Sequence, residues 1–284
     1  MVLGNLPDTL QTVVDTTKAV KESGSGWILH HVMDSNYIDF GPIGKLYLPR
    51  FELFGIDLSI TKDVFFMWLV VVVLVILLYF ITKGYKKSLI PKGLTNLFEI
   101  IIIFVRDEVV KPAIGKGYEA FMPYMLSLFF FILFVNMFGL IPTPNLVVPT
   151  GNLGVTASLA LISFIAIQFG GIKNHGVIGY LKNLVPTGLP FFVVLIMIPL
   201  EILGMLTKPF ALCIRLFANM IAGHIVIFSL LGLIFILRSI YVSPVAVGFT
   251  LFIELLEVLI AFIQAYIFTM LTALFIGMTV HPDH

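Results

Sequence analysis

Arg215 lies within a long apolar stretch of the sequence, where a permanent positive charge is energetically unfavourable. An arginine at the centre of a bilayer costs from roughly 2.5 to more than 10 kcal/mol, depending on how far water and snorkelling relieve it. The guanidinium does not lose its proton near neutral pH, so it cannot avoid this cost by becoming neutral. Such a residue indicates a functional site. The alternative is a structural arginine that snorkels or is paired with a carboxylate.

The same apolar stretch contains further polar residues, and helical geometry sorts them into faces. Asn219 is four residues beyond Arg215 and therefore shares its face. Glu201, Lys208 and Arg215 are spaced by sevens and align within about 40°. His224 is nine residues beyond Arg215, on roughly the opposite side. The segment therefore presents two polar faces at different depths.

The following apolar stretch contains Glu254, Glu257 and Gln264. Glu257 and Gln264 are seven apart and share a stripe, whereas Glu254 lies about 60° away from Glu257. Histidine and glutamate take up and release protons when their surroundings shift their pKa values. A fixed arginine instead attracts carboxylates and repels cations. Titratable groups on either side of Arg215 therefore predict two proton paths separated by an electrostatic barrier.

Each of these residues also has a structural explanation. His224 would then be a neutral imidazole bonded to a backbone carbonyl. Asn219 and Gln264 would be hydrogen-bonding links between helices. Glu254 and Lys208 fit an ion pair or an interfacial position better than a place on a proton path.

Composition identifies the class of protein. The chain has 284 residues, of which 59% are hydrophobic and only 12% charged, and its mean hydropathy is +1.07. A soluble domain is nearer a quarter charged, so we expect a polytopic membrane protein. The net charge of +1 gives no indication of nucleic-acid binding, and a single cysteine, Cys213, excludes an internal disulfide and a cysteine metal cluster.

The sequence contains no recognisable phosphate loop, zinc-binding spacing or nucleophile elbow. We therefore predict no cofactor, no bound metal and no enzymatic activity of the chain on its own. The neighbouring His30 and His31 have no further ligands at fixed spacing, which argues against a metal site there. If ATP is involved, another chain binds it.

The expected fold is all-α, with five membrane-crossing helices and one amphipathic surface helix. Residues 1–60 form an extramembrane or interfacial segment, and 61–284 form a single transmembrane domain. The last two crossings exceed a hydrocarbon layer of about 30 Å, so each must tilt, bend or extend into water. The predicted spans lie near residues 64–82, 121–141, 153–170, 191–236 and 244–279, and the amphipathic helix near 94–111.

Lysines mark one side of the membrane. Lys83, Lys86 and Lys87 follow the first span, and Lys173 and Lys182 follow the third. Because cytoplasmic loops carry an excess of positive charge, we expect the N-terminus outside and the C-terminus in the cytoplasm.

Two segments resemble subunit a of the F-type ATP synthase: residues 215–224, which read RLFANMIAGH, and residues 262–268, which read FIQAYIF. The stretches 142–161 and 30–34 are also similar to bacterial members. The resemblance implies a membrane stator whose last two helices form a strongly tilted hairpin against a rotating ring of c subunits. It also implies peripheral-stalk b subunits and a catalytic head as partners, and a bacterial inner membrane as the location.

The resemblance implies a role for each matching position. Arg215 corresponds to the arginine that faces the ring carboxylates and prevents protons from leaking between two half-channels. Gln264 corresponds to the glutamine near it. Asn219 and His224 match the half-channel open to the outside, with Glu257 as their partner. The acidic residue of the cytoplasmic half-channel matches Glu201.

The sequence departs from some bacterial members at two places. Those members have Glu at position 224 and His at position 257, so the exchange keeps an acid–imidazole pair. Gly139 stands where some relatives carry a carboxylate, and this makes Asn136 a weak candidate for the proton path.

An independent channel or secondary transporter is the alternative function, although repeats and broken helices typical of transporters are not evident. A membrane scaffold would have no reason to bury Arg215 among His and Glu.

Overall fold

The computed structural model describes residues 37–39, 45–49, 52–53, 56–57, 59–87, 93–141, 149–183, 191–237 and 241–281. The side chains of some residues within these elements, Glu201 among them, lie outside the description, as do His30 and His31.

Two short β-hairpins precede the first described helix. Strand β1, Tyr37–Asp39, pairs antiparallel with β2, Lys45–Tyr47, and β3, Glu52–Leu53, pairs antiparallel with β4, Ile56–Asp57. Strands of two or three residues are too short to show a hydrophobic alternation, so the sequence pattern does not predict them.

Helix α1, Lys62–Lys87, is the first long apolar helix. Its N-terminal end is held by a polar contact, since Asn152 Nδ2 donates a hydrogen bond to Asp63 Oδ2 at 3.0 Å. Asp63 is buried in the first turn, where the helix dipole favours a negative charge. The start of α1 is thereby tied to Asn152, about ninety residues further along the chain.

The amphipathic segment is a helix with an altered pitch. Helix α2, Leu94–Phe104, continues as a π-helical turn, Val105–Val110, and then as α3, Lys111–Ile114. Its apolar side is buried against the other helices, whereas Leu97 and Ile100 of α2 are exposed. The buried residues of this side are Phe98, Val105, Val109, Val110 and Ile114.

The described residues contain four further long helices: α4, Met122–Gly139; α5, Leu153–Asn183; α6, Phe191–Leu237; and α7, Ser243–Val280. Short 3₁₀ turns at Tyr118–Ala120 and Pro149–Gly151 precede α4 and α5. Within the described residues, five helices are long and apolar enough to cross a membrane. The expected all-α polytopic fold is confirmed. The five stretches are Lys62–Gly84, Met122–Gly139, Leu153–Tyr180, Phe192–Ile234 and Ser243–Val280.

Helix α5 is longer than the span expected at 153–170. The apolar pattern weakens at Lys173, but the helix continues to Asn183 across a kink at Gly176, whose φ of 69° is left-handed. Glycine adopts this conformation without a Cβ clash. Helix α6 in turn contains Pro199 and Pro209 in its interior, where each removes one backbone hydrogen bond.

Helix α7 is the centre of the helical packing and contacts α3, α4, α5 and α6. Its buried residues are mostly small, and its buried threonines donate to carbonyls of their own helix, as Thr269 does to Ala265 at 2.8 Å. At Gly277 a Cβ atom would overlap the carbonyl of Ala113 in α3. Small residues let neighbouring backbones approach closely, which is how helices associate in membranes.

Candidate functional site

Helices α6 and α7 are joined by a polar contact near the middle of each. Asn219 Nδ2 on α6 donates a hydrogen bond to Gln264 Oε1 on α7 at 2.9 Å. Gln264 is buried, at 3% exposure, whereas Asn219 is exposed on one side. The pairing fits the structural explanation of these two residues, and it also places their amides beside the other polar groups.

An imidazole and a carboxylate meet between the same two helices. His224 Nδ1 lies 3.6 Å from Glu257 Oε2, and the two residues are 3% and 7% exposed. A buried carboxylate is costly unless it is protonated, paired or hydrated. Neither oxygen of Glu257 has a hydrogen-bond partner among the described residues, so His224 is its nearest charge partner there.

A backbone carbonyl determines which nitrogen of His224 carries its proton. His224 Nε2 lies 3.2 Å from the carbonyl oxygen of Gly139, at the end of α4. A carbonyl only accepts hydrogen bonds, so Nε2 must donate. Nδ1 therefore faces Glu257 either as a bare acceptor or with a second proton. One proton on this side of the pair gives either an imidazolium beside a carboxylate or a neutral imidazole beside a carboxylic acid, whereas none sets the lone pair of Nδ1 against a negative oxygen.

Gly223 makes the approach of Glu257 possible. A Cβ atom at this position would overlap the carboxylate of Glu257. The absence of a side chain at Gly223 thus allows α7 to bring Glu257 against α6, directly beside His224.

A small cavity of about 20 Å³ adjoins the pair. Polar side chains from three helices line it, and one water needs about 10–15 Å³ and two to four polar partners. The buried Asn136 has an Oδ1 atom without a hydrogen-bond partner in the described part of the chain. The cavity therefore suits a water molecule that bridges these groups. Its polar lining residues are Asn136 from α4, Asn219 from α6, and Glu257 and Gln264 from α7.

Arg215 lies near the midpoint of α6 and is exposed. No carboxylate within the described side chains lies at ion-pair distance from its guanidinium. Three exposed alanines flank it on the same face, Ala211, Ala218 and Ala222, at spacings of four, three and seven from Arg215, together with the exposed Asn219. A cation on a smooth face of this kind can be approached closely by a helix of another chain.

The remaining candidates lie apart from this cluster. Glu254 is half-buried and forms no ion pair with another described side chain. Lys208 Nζ lies 5.0 Å from the centre of the Phe275 ring, a cation–π contact rather than an ion pair. The backbone of Glu201 belongs to α6, but its side chain lies outside the described part.

Away from the contacts between α6 and α7, the Arg106 guanidinium lies beside the Asp107 carboxylate. It holds the pKa of that carboxyl below its ordinary value, chiefly through a hydrogen bond of 2.8 Å. Both residues lie on the amphipathic segment and take no part in the cluster.

A second polar contact was not predicted. On α5, Tyr180 donates a hydrogen bond to Gln168 Oε1, and both side chains contact Met205 Sδ on α6. Met205 follows Glu201 by four residues, which places the contact one helical turn along the same face. The only sequence signal was a glutamine inside an apolar run. The contributions of Gly139 and Gly223 were not predictable, because one is a backbone carbonyl and the other is the absence of a side chain.

Comparisons with known proteins agree with the sequence resemblance. The family model described as the ATP synthase A chain matches residues 64–277. The ATP synthase subunit a of Chloroherpeton thalassium is 49% identical over 260 residues, which cover 90% of this chain and 77% of that protein. The ATP synthase subunit a 2 of Chlorobaculum tepidum is 48% identical over 269 residues, covering 93% and 75%. The ATP synthase subunit a of Myxococcus xanthus is 48% identical over 236 residues, covering 81% and 77%.

Proposed function

Because the chain belongs to the ATP synthase A chain family and is a multi-pass membrane subunit of that complex, we propose that it forms two proton half-channels. These half-channels pass protons to and from carboxylates of a ring of c subunits and so couple proton flow to rotation. The chain makes no ATP itself. Its other partners are the b subunits of the peripheral stalk and, through the complex, the catalytic head.

The observation that carries this proposal is the exposed guanidinium of Arg215. It lies in the middle of a long apolar helix and has no ion-pair partner among the described side chains. Its cost in an apolar environment is relieved by a carboxylate supplied from outside the chain. The alanines around it leave room for the helix that carries this carboxylate.

The path from outside begins at His224 and Glu257. Nδ1 and Oε2 lie 3.6 Å apart, so a proton passes between them once the two side chains close to hydrogen-bond distance or a water bridges them. The adjoining cavity extends from Glu257 to Asn219, which shares the exposed face of Arg215. A water in this cavity, held by Asn136 and Gln264, completes a hydrogen-bonded route from the buried pair to the face of the ring.

The path to the cytoplasm involves Glu201. It lies on the α6 face that Lys208 and Arg215 share, two helical repeats of seven before the arginine. Gln168 and Tyr180 contribute polar groups one turn away from it, against Met205. Glu254 has a lesser role because it lies about 60° from the stripe of Glu257 and Gln264.

Arg215 separates the two paths. A carboxylate that reaches it is stabilised in its ionised form, and a free proton is repelled. Each proton must therefore travel with the ring, and each provides about 2.3 kcal/mol per 100 mV of membrane potential.

We place the chain in a bacterial inner membrane, with its N-terminus periplasmic and its C-terminus cytoplasmic, in accord with the distribution of lysines.

Replacement of Arg215 tests this function. We expect Arg215→Ala to abolish proton-driven ATP synthesis in the purified, reconstituted complex and to raise the passive proton leak, while the complex still assembles. Arg106→Ala is the matched control, because the half-buried Arg106 is also an arginine but pairs with Asp107, and it should retain the activity. Full coupling in Arg215→Ala would refute the proposal.

A further inference from the structure

A large cavity opens at the end of the helical bundle opposite the 3₁₀ turn that precedes α5. It has a volume of about 790 Å³ and lies between the start of α4, the middle of α5 and the end of α7. This size is within the usual range of about 300–1,000 Å³ for small-molecule sites. The proton path described above uses none of its lining residues.

The rim of the cavity is basic. Lys116 and Lys173 line it and are exposed, and no carboxylate within the described side chains forms an ion pair with either. No acidic residue lines the cavity within the part of the chain that the structure describes, and Asn174 adds a neutral amide at the rim. Two unpaired ammonium groups at one opening favour an anionic ligand.

The local backbone holds the rim in place. Gly115 and Gly117 have φ angles of 75° and 85°, a left-handed conformation that turns the chain on either side of Lys116. His281 Nε2 donates to the carbonyl of Lys116 at 2.9 Å, and His175 Nε2 donates to the carbonyl of Val280 at the same distance. The two imidazoles thus join the turn, α5 and the end of α7 into one wall.

The interior of the cavity is apolar and continues into the membrane-crossing part of α5. Phe121 and Ala166 line it, together with Phe169, which is 64% exposed. The hydroxyl of Tyr124 donates to Ser163 at 3.2 Å and is therefore already used. A peptide would find few groups here to pair with its backbone, whereas hydrocarbon chains need none.

We propose that this cavity binds the phosphodiester headgroup of an anionic phospholipid, with Lys116 and Lys173 contacting the phosphate. Phe121 and Phe169 pack against the acyl chains below it. Basic pockets between membrane helices on the cytoplasmic side have this chemistry. The inference goes beyond proton transfer and rests only on the proposed orientation, which places both lysines at the cytoplasmic leaflet.

The test uses the intact ATP synthase complex in lipid nanodiscs that contain a photoactivatable phosphatidylglycerol. We expect covalent labelling of peptides from 116–124 and 166–175. Lys116→Gln combined with Lys173→Gln should reduce this labelling by roughly 25-fold, since each lysine near an anionic surface contributes a factor of roughly five. The double Lys→Arg variant should retain it, and so should Lys83→Gln, which removes an exposed lysine of α1 away from the cavity.

Four results would overturn the proposal. They are equal labelling by a photoactivatable phosphatidylcholine, undiminished labelling of the double Lys→Gln variant, loss of labelling in millimolar inorganic phosphate, and no labelling because another subunit covers the cavity. The third would indicate a site for a soluble anion, and the fourth a protein interface. ATP synthesis is measured on the same complexes. Labelling that fails while ATP synthesis persists contradicts the lipid site alone, whereas failure of the proton path appears as a loss of ATP synthesis.

Discussion

At the scale of single residues, His224 and Glu257 depend on each other because both are buried and each is the other's nearest charge partner among the described side chains. Gly139 holds the far side of the imidazole, so the exchangeable proton faces the carboxylate. Removing one partner of such a pair leaves the other buried without compensation, which is strongly unfavourable.

This coupling predicts the outcome of exchanging the two residues. His224→Glu alone places two carboxylates together, and Glu257→His alone places two imidazoles together. We expect each single variant to lose more than about nine-tenths of proton-driven ATP synthesis, because like charges in contact disfavour ionisation. The double variant restores an acid–imidazole pair and should recover a substantial part of the rate. A double variant no more active than the singles would contradict the shared proton.

Gly223 offers a second test at this scale. In Gly223→Ala the new methyl group overlaps the Glu257 carboxylate, which must move away from His224. We expect proton-driven ATP synthesis to fall several-fold while the yield of assembled complex is unchanged, because a flexible side chain can move without disturbing the backbone. Gly204→Ala on the same helix is the control, since no heavy atom lies within 4 Å of its Cβ position. Equal activity of the Gly223→Ala and Gly204→Ala variants would show that Gly223 does not contribute to the position of Glu257.

At the scale of elements, the structure explains why α7 is built from small residues. At Gly277 the neighbour is the backbone carbonyl of Ala113, which cannot move as a side chain can. We expect Gly277→Ala to destabilise the packing of α3 on α7 by about 1–3 kcal/mol, as overpacking usually does. A lower thermal midpoint of the purified complex would show this.

Gly248→Ala is the matched control on α7, because its Cβ position is open. It should leave the midpoint unchanged or raise it slightly, since alanine favours a helix over glycine. If both variants had the same midpoint, the close contact at Gly277 would have no energetic importance.

Much of the fold was predictable because long hydrophobic runs are typical of membrane-crossing helices. The length of α5 was not, because polar residues after Gly170 continue the helix outside the apolar run. The family resemblance implied Glu257 as the partner of both His224 and Asn219. The structure places Glu257 beside His224, whereas Asn219 bonds to Gln264. The position of Asn136 in the same cavity depends on how α4 packs, and the contribution of Gly139 is a backbone atom, so neither has a sequence pattern.

At the scale of the whole molecule, the lysine distribution predicts the orientation of the chain in the membrane. The test starts from Cys213→Ser, which keeps a hydroxyl beside Thr156 Oγ1, now 3.5 Å from the sulfur. A single cysteine is then introduced at the exposed position of Lys111 or Leu153. We expect an impermeant thiol reagent to label Lys111→Cys from the cytoplasmic side and Leu153→Cys from the outside. The reverse pattern would invert the assignment of the two half-channels.

The central position of α7 has a mechanical consequence. A stator experiences a sideways force wherever a rotor passes its surface, and that force must reach the anchored parts of the chain. Helix α7 touches α3, α4, α5 and α6, and its final turn is bonded to His175. Load that the proposed rotor applies to the hairpin of α6 and α7 would thus be distributed over most of the bundle.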